Sequence, residues 1–239
     1  MSALHRFFVD AAAVDGDTAT LAGEQAHQIA DVLRLGVGDR VVLVRDGQEW
    51  EVRLDAVGRS SVSGGVIERR SAAGEPRLRL TLALPLLRGD RSEEVIEAVT
   101  QLGVSRIVPF TSERSVVRDL SAAKRSRWER IARESAETAR RGRVPEISPL
   151  VPWAELLGAL EPPVLVAWEG EHDLPLRKAI PVNAPAISVV VGPEGGLAEA
   201  EVGIARERGA TIVSLGPRNL RSETAAIAAV AQVFALADA

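Results

Sequence analysis

Cysteine is absent from this 239-residue chain, and histidine is scarce. Without Cys the chain forms no disulfide and offers no thiolate ligands for zinc or an iron–sulfur cluster. The three histidines, His5, His27 and His172, are too few for a His-rich site, so we expect no metal. The lack of disulfides is compatible with a cytoplasmic location, which we expect for this protein.

Long hydrophobic runs are lacking as well. The N-terminal stretch MSALHRFFVDAAAVDGD reaches acidic residues before an apolar segment of signal-peptide length forms. No uninterrupted run approaches the roughly 18 apolar residues that a membrane span needs. The Ala-rich C-terminus comes closest, but it carries a Gln and acidic residues. We therefore expect neither a signal peptide nor a membrane partner.

An excess of positive charge is also missing, because the formal net charge is −4. Residues 76–150 are nevertheless basic, with 15 Lys and Arg against 10 Asp and Glu. The basic residues concentrate in one segment: Arg114, Arg118, Lys124, Arg125, Arg127, Arg130, Arg133, Arg140, Arg141 and Arg143. Such a cluster can neutralise phosphates locally. The alternative, which charge alone favours, is a solvated helix face paired with Glu129, Glu134 and Glu137.

Aromatic residues make up only 3% of the sequence, and Tyr is absent. Proteins that stack several bases on aromatic side chains need more of them. If the partner is RNA, the composition favours recognition of shape and phosphate by arginine.

The first third of the chain has the pattern of a small β domain. Strands are predicted at Arg40–Arg45 and Glu49–Val57, joined by an Asp46-Gly47 hairpin turn. Val62–Glu68 adds a further strand, and Glu24–Leu35 is predicted as a short helix. The segment Ser71–Pro76, SAAGEP, is small and turn-rich and is interpreted as a linker.

After Pro76, apolar strands alternate with helices. Strands are predicted at Leu78–Leu86, Ile107–Phe110, Val164–Trp168, Ile187–Val191 and Thr211–Leu215, and helices at Arg91–Leu102, Lys124–Arg141, Trp153–Leu160, Ala198–Arg208 and Glu223–Ala237. This alternation predicts an α/β domain with a parallel sheet covered on both faces. Ligands of such sheets bind beyond the carboxyl ends of the strands, which here are the loops at Glu169, Gly192 and Gly216.

Two of these loops are rich in Gly and Pro: VVVGPEGG and VSLGPRNLRSETA. Neither fits the P-loop or the G-x-G-x-x-G pattern, and no Ser/His/Asp triad is evident. Glycines at strand ends let backbone N–H and C=O groups approach a ligand closely, as recognition of a flat adenine requires. The alternative is a pair of ordinary strand-to-helix turns.

The two loops, taken in this order near the C-terminus, resemble the SPOUT class of methyltransferases. GPEGG followed by LG-x-R-x-LR-x-ETA is similar to the RsmE family of 16S ribosomal RNA uridine-N3 methyltransferases. Three upstream segments also resemble that family: AHQIADVLRLGVGDRV (26–41), GDRSEEVIEAVTQLGVSRIVPFTSERSVV (89–117) and RWERIARESAETARRGRVPEI (127–147). The resemblance covers roughly residues 5–235. Gln28 departs from it where many members have a second His, and Asn219 where an apolar residue is usual.

The resemblance implies a fold and partners. Residues 1–72 are expected to form a PUA-like β-barrel RNA-binding domain, and residues 76–239 a SPOUT methyltransferase domain whose parallel sheet ends in a trefoil knot. The implied cofactor is S-adenosylmethionine, bound in the knot. The implied substrate is 16S ribosomal RNA or the small ribosomal subunit, and the implied assembly is a homodimer.

Site residues follow from the same resemblance, position by position. The implied cofactor-binding residues are Glu169, Gly192, Pro193, Gly195, Gly196, Leu215, Gly216, Leu220, Arg221, Thr224 and Ala225. Catalytic candidates are Arg218, Arg221 and Glu223, with Glu194 as a weaker one, because uridine N3 needs either a base or cations that stabilise its anion. A structural interpretation of Glu223 is a first-turn carboxylate that favours the helix dipole, with Ser222 as N-cap. The implied RNA-binding residues are His27, Arg34, Arg114, Arg140 and Arg141.

Two other functions stay open at this point. The first is a SPOUT enzyme that methylates a 2′-oxygen of ribose or a guanine, which the upstream segments and the N-terminal β domain disfavour. The second is a non-catalytic RNA-binding assembly factor, which the intact glycines of both loops disfavour. Cofactor binding separates the second from an enzyme.

Overall fold

The computed structural model describes residues 4–181 and 183–237. These residues form two compact units. The first unit comprises the described residues up to Glu75 together with Ala136–Arg143. The second comprises Pro76–Ser135 and the described residues from Val144 onward. The sequence-based division into 1–72 and 76–239 did not include the return of Ala136–Arg143 to the first unit.

The first unit contains a six-stranded sheet with a single apolar core. Its strands are β1 (His5–Phe8), β2 (Val14–Asp15), β3 (Thr18–Ala22), β4 (Arg40–Arg45), β5 (Gln48–Val57) and β6 (Ser61–Ser71), in the order β1-β4-β5-β6-β3-β2. The strand β1 pairs in parallel with β4, and the other pairs are antiparallel. Alternate side chains of β3, Ala19 and Leu21, point into the core, as the period of two of a strand requires. The predicted strands and hairpin turn of β4 to β6 are confirmed, whereas the sequence analysis missed β1 to β3.

The helix predicted at Glu24–Leu35 is shorter and less regular than expected. Helix α1 spans only Glu24–His27 and continues as a π-helical turn over Gln28–Val32. Its buried side is formed by Ala26 and Ile29, which pack into the core of the first unit.

A buried carboxylate links three strands of the first unit. Burial disfavours the charged form of Glu49, but hydrogen bonds from Arg6 (2.5 Å) and Arg70 (2.9 Å) outweigh it and hold the pKa of this carboxyl below its ordinary value. Glu49 therefore stays ionised at neutral pH and joins β1, β5 and β6.

The second unit is an α/β domain with an entirely parallel sheet, as predicted. Its strands are β7 (Arg79–Pro85), β8 (Arg106–Thr111), β9 (Glu146–Ile147), β10 (Val151–Pro152), β11 (Val164–Ala167), β12 (Ala186–Val191) and β13 (Thr211–Val213). Their order is β10-β8-β7-β12-β11-β13, and β9 also pairs with β8. Every described pairing in this sheet is parallel.

Apolar side chains cover both faces of the parallel sheet. Along β12, Val189 belongs to one core cluster and Val190 to the other. The α-helices that follow α1 are α2 (Arg91–Leu102), α3 (Ala122–Thr138), α4 (Trp153–Leu156), α5 (Leu176–Ala179), α6 (Glu199–Glu207) and α7 (Ser222–Ala237). Side chains of α2 and α7 fill the first cluster, and those of α4 and α6 fill the second. The parallel strands therefore consist of continuous apolar runs.

Of two predicted helix ends, that of α2 is confirmed and that of α3 is not. Helix α2 has the predicted bounds and is followed by Gly103, whose left-handed φ of +114° turns the chain so that the amide of Val104 donates back to the carbonyl of Val99 (3.0 Å). Helix α3 ends at Thr138, three residues before the predicted end, and Arg140 adopts a left-handed φ of +56°. The short elements β9, β10 and α5 were not predicted. Within the described residues, no helix combines the length and apolar character of a membrane span.

Candidate active site

Three loops emerge from neighbouring strands at one edge of the parallel sheet. The strands β12, β11 and β13 are adjacent and parallel, so the segments that follow their carboxyl ends leave the sheet on the same side. The amide of Trp168, which opens the loop after β11, donates to the carbonyl of Val213 at the end of β13 (3.1 Å). The three loops that the sequence singled out therefore share one edge.

The loop after β12 is a tight turn that requires glycine at one position. The amide of Gly196 donates to the carbonyl of Pro193 (2.8 Å), and Gly196 has a left-handed φ of +73°. A Cβ at Gly196 would collide with Oε1 of Glu169. The structure thus brings Glu169 and Gly196, two of the predicted cofactor residues, into contact.

The loop after β13 is open on its outer side. Gly216 has a φ of +113° and is exposed, and a Cβ built on it would meet no atom within 4 Å. Ser214 anchors the start of the loop, because its amide donates to the carbonyl of Leu174 (2.8 Å) and its carbonyl accepts from the amide of Leu176 (2.9 Å). Arg218 and Arg221 are both exposed.

Helix α7 begins where the loop after β13 ends. The amide of Ala225 donates to the carbonyl of Arg221 (2.8 Å), which makes Arg221 the N-cap residue. Ser222 is therefore the first helical residue, and its predicted role as N-cap is wrong. Thr224 is exposed in the first turn, whereas Ala225 is buried.

A cation that sequence reasoning missed lies between two acidic side chains of this site. Arg91, in the first turn of α2, has its Nη1 3.6 Å from Oε1 of Glu194 and its Nε 3.9 Å from Oε1 of Glu223. Glu194 Oε1 also accepts from the amide of Arg88 (3.0 Å). Oε2 of Glu223 is buried and receives no hydrogen bond from the described residues. The only sequence signal for Arg91 was its position in the GDRSEEV segment.

Arg114, expected to contact RNA, touches the loop after β12. Its Nη1 donates to the carbonyl of Gly195 (3.2 Å), and a Cβ on Gly195 would lie 3.0 Å from the Cβ of Arg114. The amide of the preceding Glu113 donates to the buried carboxylate of Glu201 (2.8 Å), which also accepts from Ala198 (3.0 Å). The segment after β8 therefore braces this loop.

The loop after β11 is held by its own hydrogen bonds. The carboxylate of Glu171 accepts from the amides of Asp173 (2.9 Å) and Leu174 (3.1 Å), and Arg206 lies 3.6 Å away. These backbone hydrogen bonds, with a smaller contribution from Arg206, hold the pKa of Glu171 below its ordinary value. The loop therefore stays fastened at neutral pH.

The remaining candidates for RNA binding lie in the first unit. His27 is exposed and pairs with Asp31 (2.7 Å), and Arg34 and Arg140 are exposed as well. Arg141 is only 2% exposed. Its guanidinium binds Glu75 through two hydrogen bonds of 3.1 and 2.9 Å. The prediction that Arg141 contacts RNA is therefore wrong, because its charge is used inside the first unit.

Part of the basic cluster has carboxylate partners within the chain. Arg125 pairs with Glu129 (3.0 Å) and Arg130 with Glu134 (4.0 Å), each one helical turn away. Arg127 pairs with Glu93 (2.6 Å). For Arg125 and Arg130 the structure agrees with the solvated helix face that charge alone favoured, whereas the partner of Arg127 is a buried carboxylate of α2 and not one of the predicted glutamates.

Comparison with known proteins relates this site to enzymes of one kind. The RNA methyltransferase domain family matches residues 74–234. A Bacillus subtilis protein named ribosomal RNA small subunit methyltransferase E is 34% identical over 231 residues, covering 92% of this chain and 90% of that protein. The crystal structure of a Neisseria gonorrhoeae protein of the same name, bound to S-adenosyl methionine, has a TM-score of 0.89 and 30% identity over 98% of both chains. A Legionella pneumophila methyltransferase structure with the same cofactor has a TM-score of 0.88 and 26% identity, again over 98% of both chains.

Proposed function

The chain belongs to the ribosomal RNA small subunit methyltransferase E family, and we propose that it transfers a methyl group from S-adenosylmethionine to N3 of a uridine in 16S ribosomal RNA. The observation that carries this proposal is the shared edge of the loops that follow β11, β12 and β13. The methyl group of S-adenosylmethionine is already activated, so the enzyme has to align uridine N3 with it and to remove the N3 proton.

The residues at this edge fit the cofactor. The left-handed Gly196 and the exposed Gly216 keep backbone atoms accessible where a side chain would cover them. We assign the cofactor to the predicted set of Glu169, Gly192, Pro193, Gly195, Gly196, Leu215, Gly216, Leu220, Arg221, Thr224 and Ala225. When bound, S-adenosylmethionine supplies a methyl group on a positively charged sulfur, which is already activated for transfer.

The protein's part in the chemistry is to stabilise an anion and to accept a proton. Uridine N3 becomes a nucleophile only when its proton leaves, and the resulting anion needs cations nearby. Arg218 and Arg221 offer exposed guanidinium groups next to the start of α7, where the helix dipole also favours negative charge. We assign stabilisation of the uridine anion to Arg221 first and Arg218 second. Glu223 remains a candidate for accepting the N3 proton.

The experiment that tests this proposal follows label from the cofactor into RNA. Purified protein is mixed with cofactor carrying a labelled methyl group and with small ribosomal subunits or naked 16S RNA that lack the modification. We expect label in the RNA and cofactor binding in calorimetry. Cofactor binding without label in either RNA preparation would contradict the proposed substrate, and absence of cofactor binding would favour the non-catalytic assembly factor.

We also propose that the first unit binds RNA as a PUA-like domain, with His27, Arg34 and Arg140 as contacts. Arg140→Glu is expected to weaken RNA binding and to lower the slope of log K against log salt by about 1, because one phosphate contact is lost. Fluorescence anisotropy over a salt series measures both quantities. Arg130→Glu is the matched control, since Arg130 already has Glu134 as a partner. Equal slopes for wild type and Arg140→Glu would contradict this role.

We further propose that the second unit is knotted and that the protein is a homodimer. The last strand, β13, pairs with β11, and Pro175 bridges to Ser214 beyond the end of β13, so the segments after these two strands lie close together, as a knot in this region requires. The proposed dimer includes the outer side of α7, where Leu236 is 51% exposed.

Light scattering tests the dimer. Wild type is expected at about twice the mass of one chain, and Leu236→Glu is expected to shift it toward monomer because a charge enters an apolar interface. Ile204→Glu, which changes another exposed apolar residue, on α6, should leave the dimer intact. A wild-type monomer at micromolar concentration would contradict the proposal.

A further inference from the structure

Arg91 is the one described cation that pairs both with an acidic side chain of the loop after β12 and with one in the first turn of α7. Glu194 belongs to the loop after β12, and Glu223 to the first turn of α7, directly after the loop that follows β13. Arg91 itself comes from the first turn of α2, after β7, which is the neighbour of β12 in the sheet. Its guanidinium thus lies beside two segments that are each more than 100 residues further along the chain, and the fold brings all three to one edge.

The distances from Arg91 to the two carboxylates indicate that it acts through its charge. At 3.6 and 3.9 Å, its nitrogen atoms lie beyond good hydrogen-bond range of Glu194 and Glu223 but within the range of an ion pair. The two carboxylates would otherwise repel each other across the gap between their loops. Arg91 therefore acts as a central positive charge and not as a planar fork, and a lysine at this position should retain most of the effect.

The two carboxylate oxygens of Glu223 have different surroundings. Its Oε1 faces Arg91, while its Oε2 is buried and accepts no hydrogen bond from the described residues. A buried carboxylate oxygen without a donor is costly, so it is a natural acceptor for a donor group on a bound ligand. The pair with Arg91 fixes which of the two oxygens is left for that ligand.

We propose that Arg91 is a positioning residue of the cofactor site. Through its ion pairs with Glu194 and Glu223, it holds the loop after β12 and the first turn of α7 in a fixed relative position. It does not touch the reacting atoms. The inference rests on the proposed function, because it assigns both segments to the binding of S-adenosylmethionine. It adds to that site a residue from the first turn of α2, the helix that follows β7.

Calorimetric binding of S-adenosylmethionine to the full chain tests the role of Arg91. Arg91→Ala is expected to weaken binding by up to about tenfold, because it removes two ion pairs that are each partly exposed and of modest strength. Arg91→Lys should stay within about threefold of wild type, since it keeps the charge. Arg79→Ala is the matched control: it also removes an arginine paired with a carboxylate, Glu161, but at the opposite end of the strands. Its affinity should equal that of wild type.

Hydrogen exchange of the protein without cofactor supplies a second readout. Arg91→Ala should speed exchange in residues 192–197 and at the start of α7, and Arg79→Ala should not.

If Arg91→Ala does not fold, Glu194→Gln removes one of the two ion pairs without changing α2, and it should weaken cofactor binding by a few fold. Affinity and exchange equal to the control in a folded Arg91→Ala protein would overturn the inference. Failure of the wild type to bind cofactor would instead overturn the proposed function.

Discussion

Gly196→Val is expected to abolish measurable binding of S-adenosylmethionine. The residue adopts a φ of +73°, a conformation that a β-branched side chain resists. Its Cβ would also collide with the carboxylate of Glu169, so the loop after β11 would have to move as well. If the free loop relieves this strain by leaving the cofactor-binding conformation, binding has to restore about 1–3 kcal/mol of strain and also the position of Glu169, which corresponds to a loss of affinity of roughly 100-fold or more.

A substitution at a second glycine distinguishes the effect of backbone strain alone from the effect of disrupting the cofactor site. Gly209 has a similar φ of +84°, but a Cβ there would meet no atom within 4 Å. Gly209→Val should therefore lower the melting temperature without changing cofactor affinity. Calorimetry on both folded variants makes the comparison, and equal cofactor affinity for Gly196→Val and wild type would reject this loop as the cofactor site.

Arg221→Ala is expected to lower kcat by about 100- to 1,000-fold while cofactor affinity stays nearly intact, as when one donor to a developing anion is removed. The backbone of Arg221 caps α7 through its carbonyl, and alanine keeps that hydrogen bond. The exposed guanidinium is what the substitution removes. Single-turnover methylation of RNA at saturating cofactor, across a range of pH, measures the chemical step.

The kinetics distinguish two roles of Arg221. If the side chain grips the cofactor, the KM for cofactor rises and kcat changes little; if it stabilises the uridine anion, kcat falls. Arg218→Ala provides the comparison, because Arg218 is an exposed arginine of the same loop. A variant that matches wild type once cofactor is saturating would exclude Arg221 from the chemical step and leave Arg218 or Glu223 as the better candidate.

The position of the site could be predicted from sequence because parallel strands impose it. The strands β11, β12 and β13 are predominantly apolar, as expected for strands buried on both faces, and the Gly- and Pro-rich segments after β12 and β13 marked two of the loops. Once the sheet is parallel, the carboxyl ends of adjacent strands share one edge. The contact between Glu169 and Gly196 follows from that rule, although its details required the structure.

Interactions between segments far apart in sequence could not be predicted in this way. Arg141 belongs to a run of basic residues that resembles an RNA-binding surface, and only the fold shows that Glu75 neutralises it. Arg91 looked like an ordinary residue at the start of a helix until Glu194 and Glu223 were found beside it. The two-residue strands β9 and β10 depend on pairing with β8 and carry no periodicity of their own.

The central claim is that the protein methylates N3 of a uridine in 16S ribosomal RNA. The most direct test is mass-spectrometric analysis of nucleosides from 16S RNA that lacked the modification, after reaction with the purified protein and S-adenosylmethionine. The account predicts one new 3-methyluridine per RNA, which disappears with Gly196→Val. A methyl group on a ribose 2′-oxygen or on guanine, or no new methylated nucleoside from an enzyme that binds the cofactor, would contradict it.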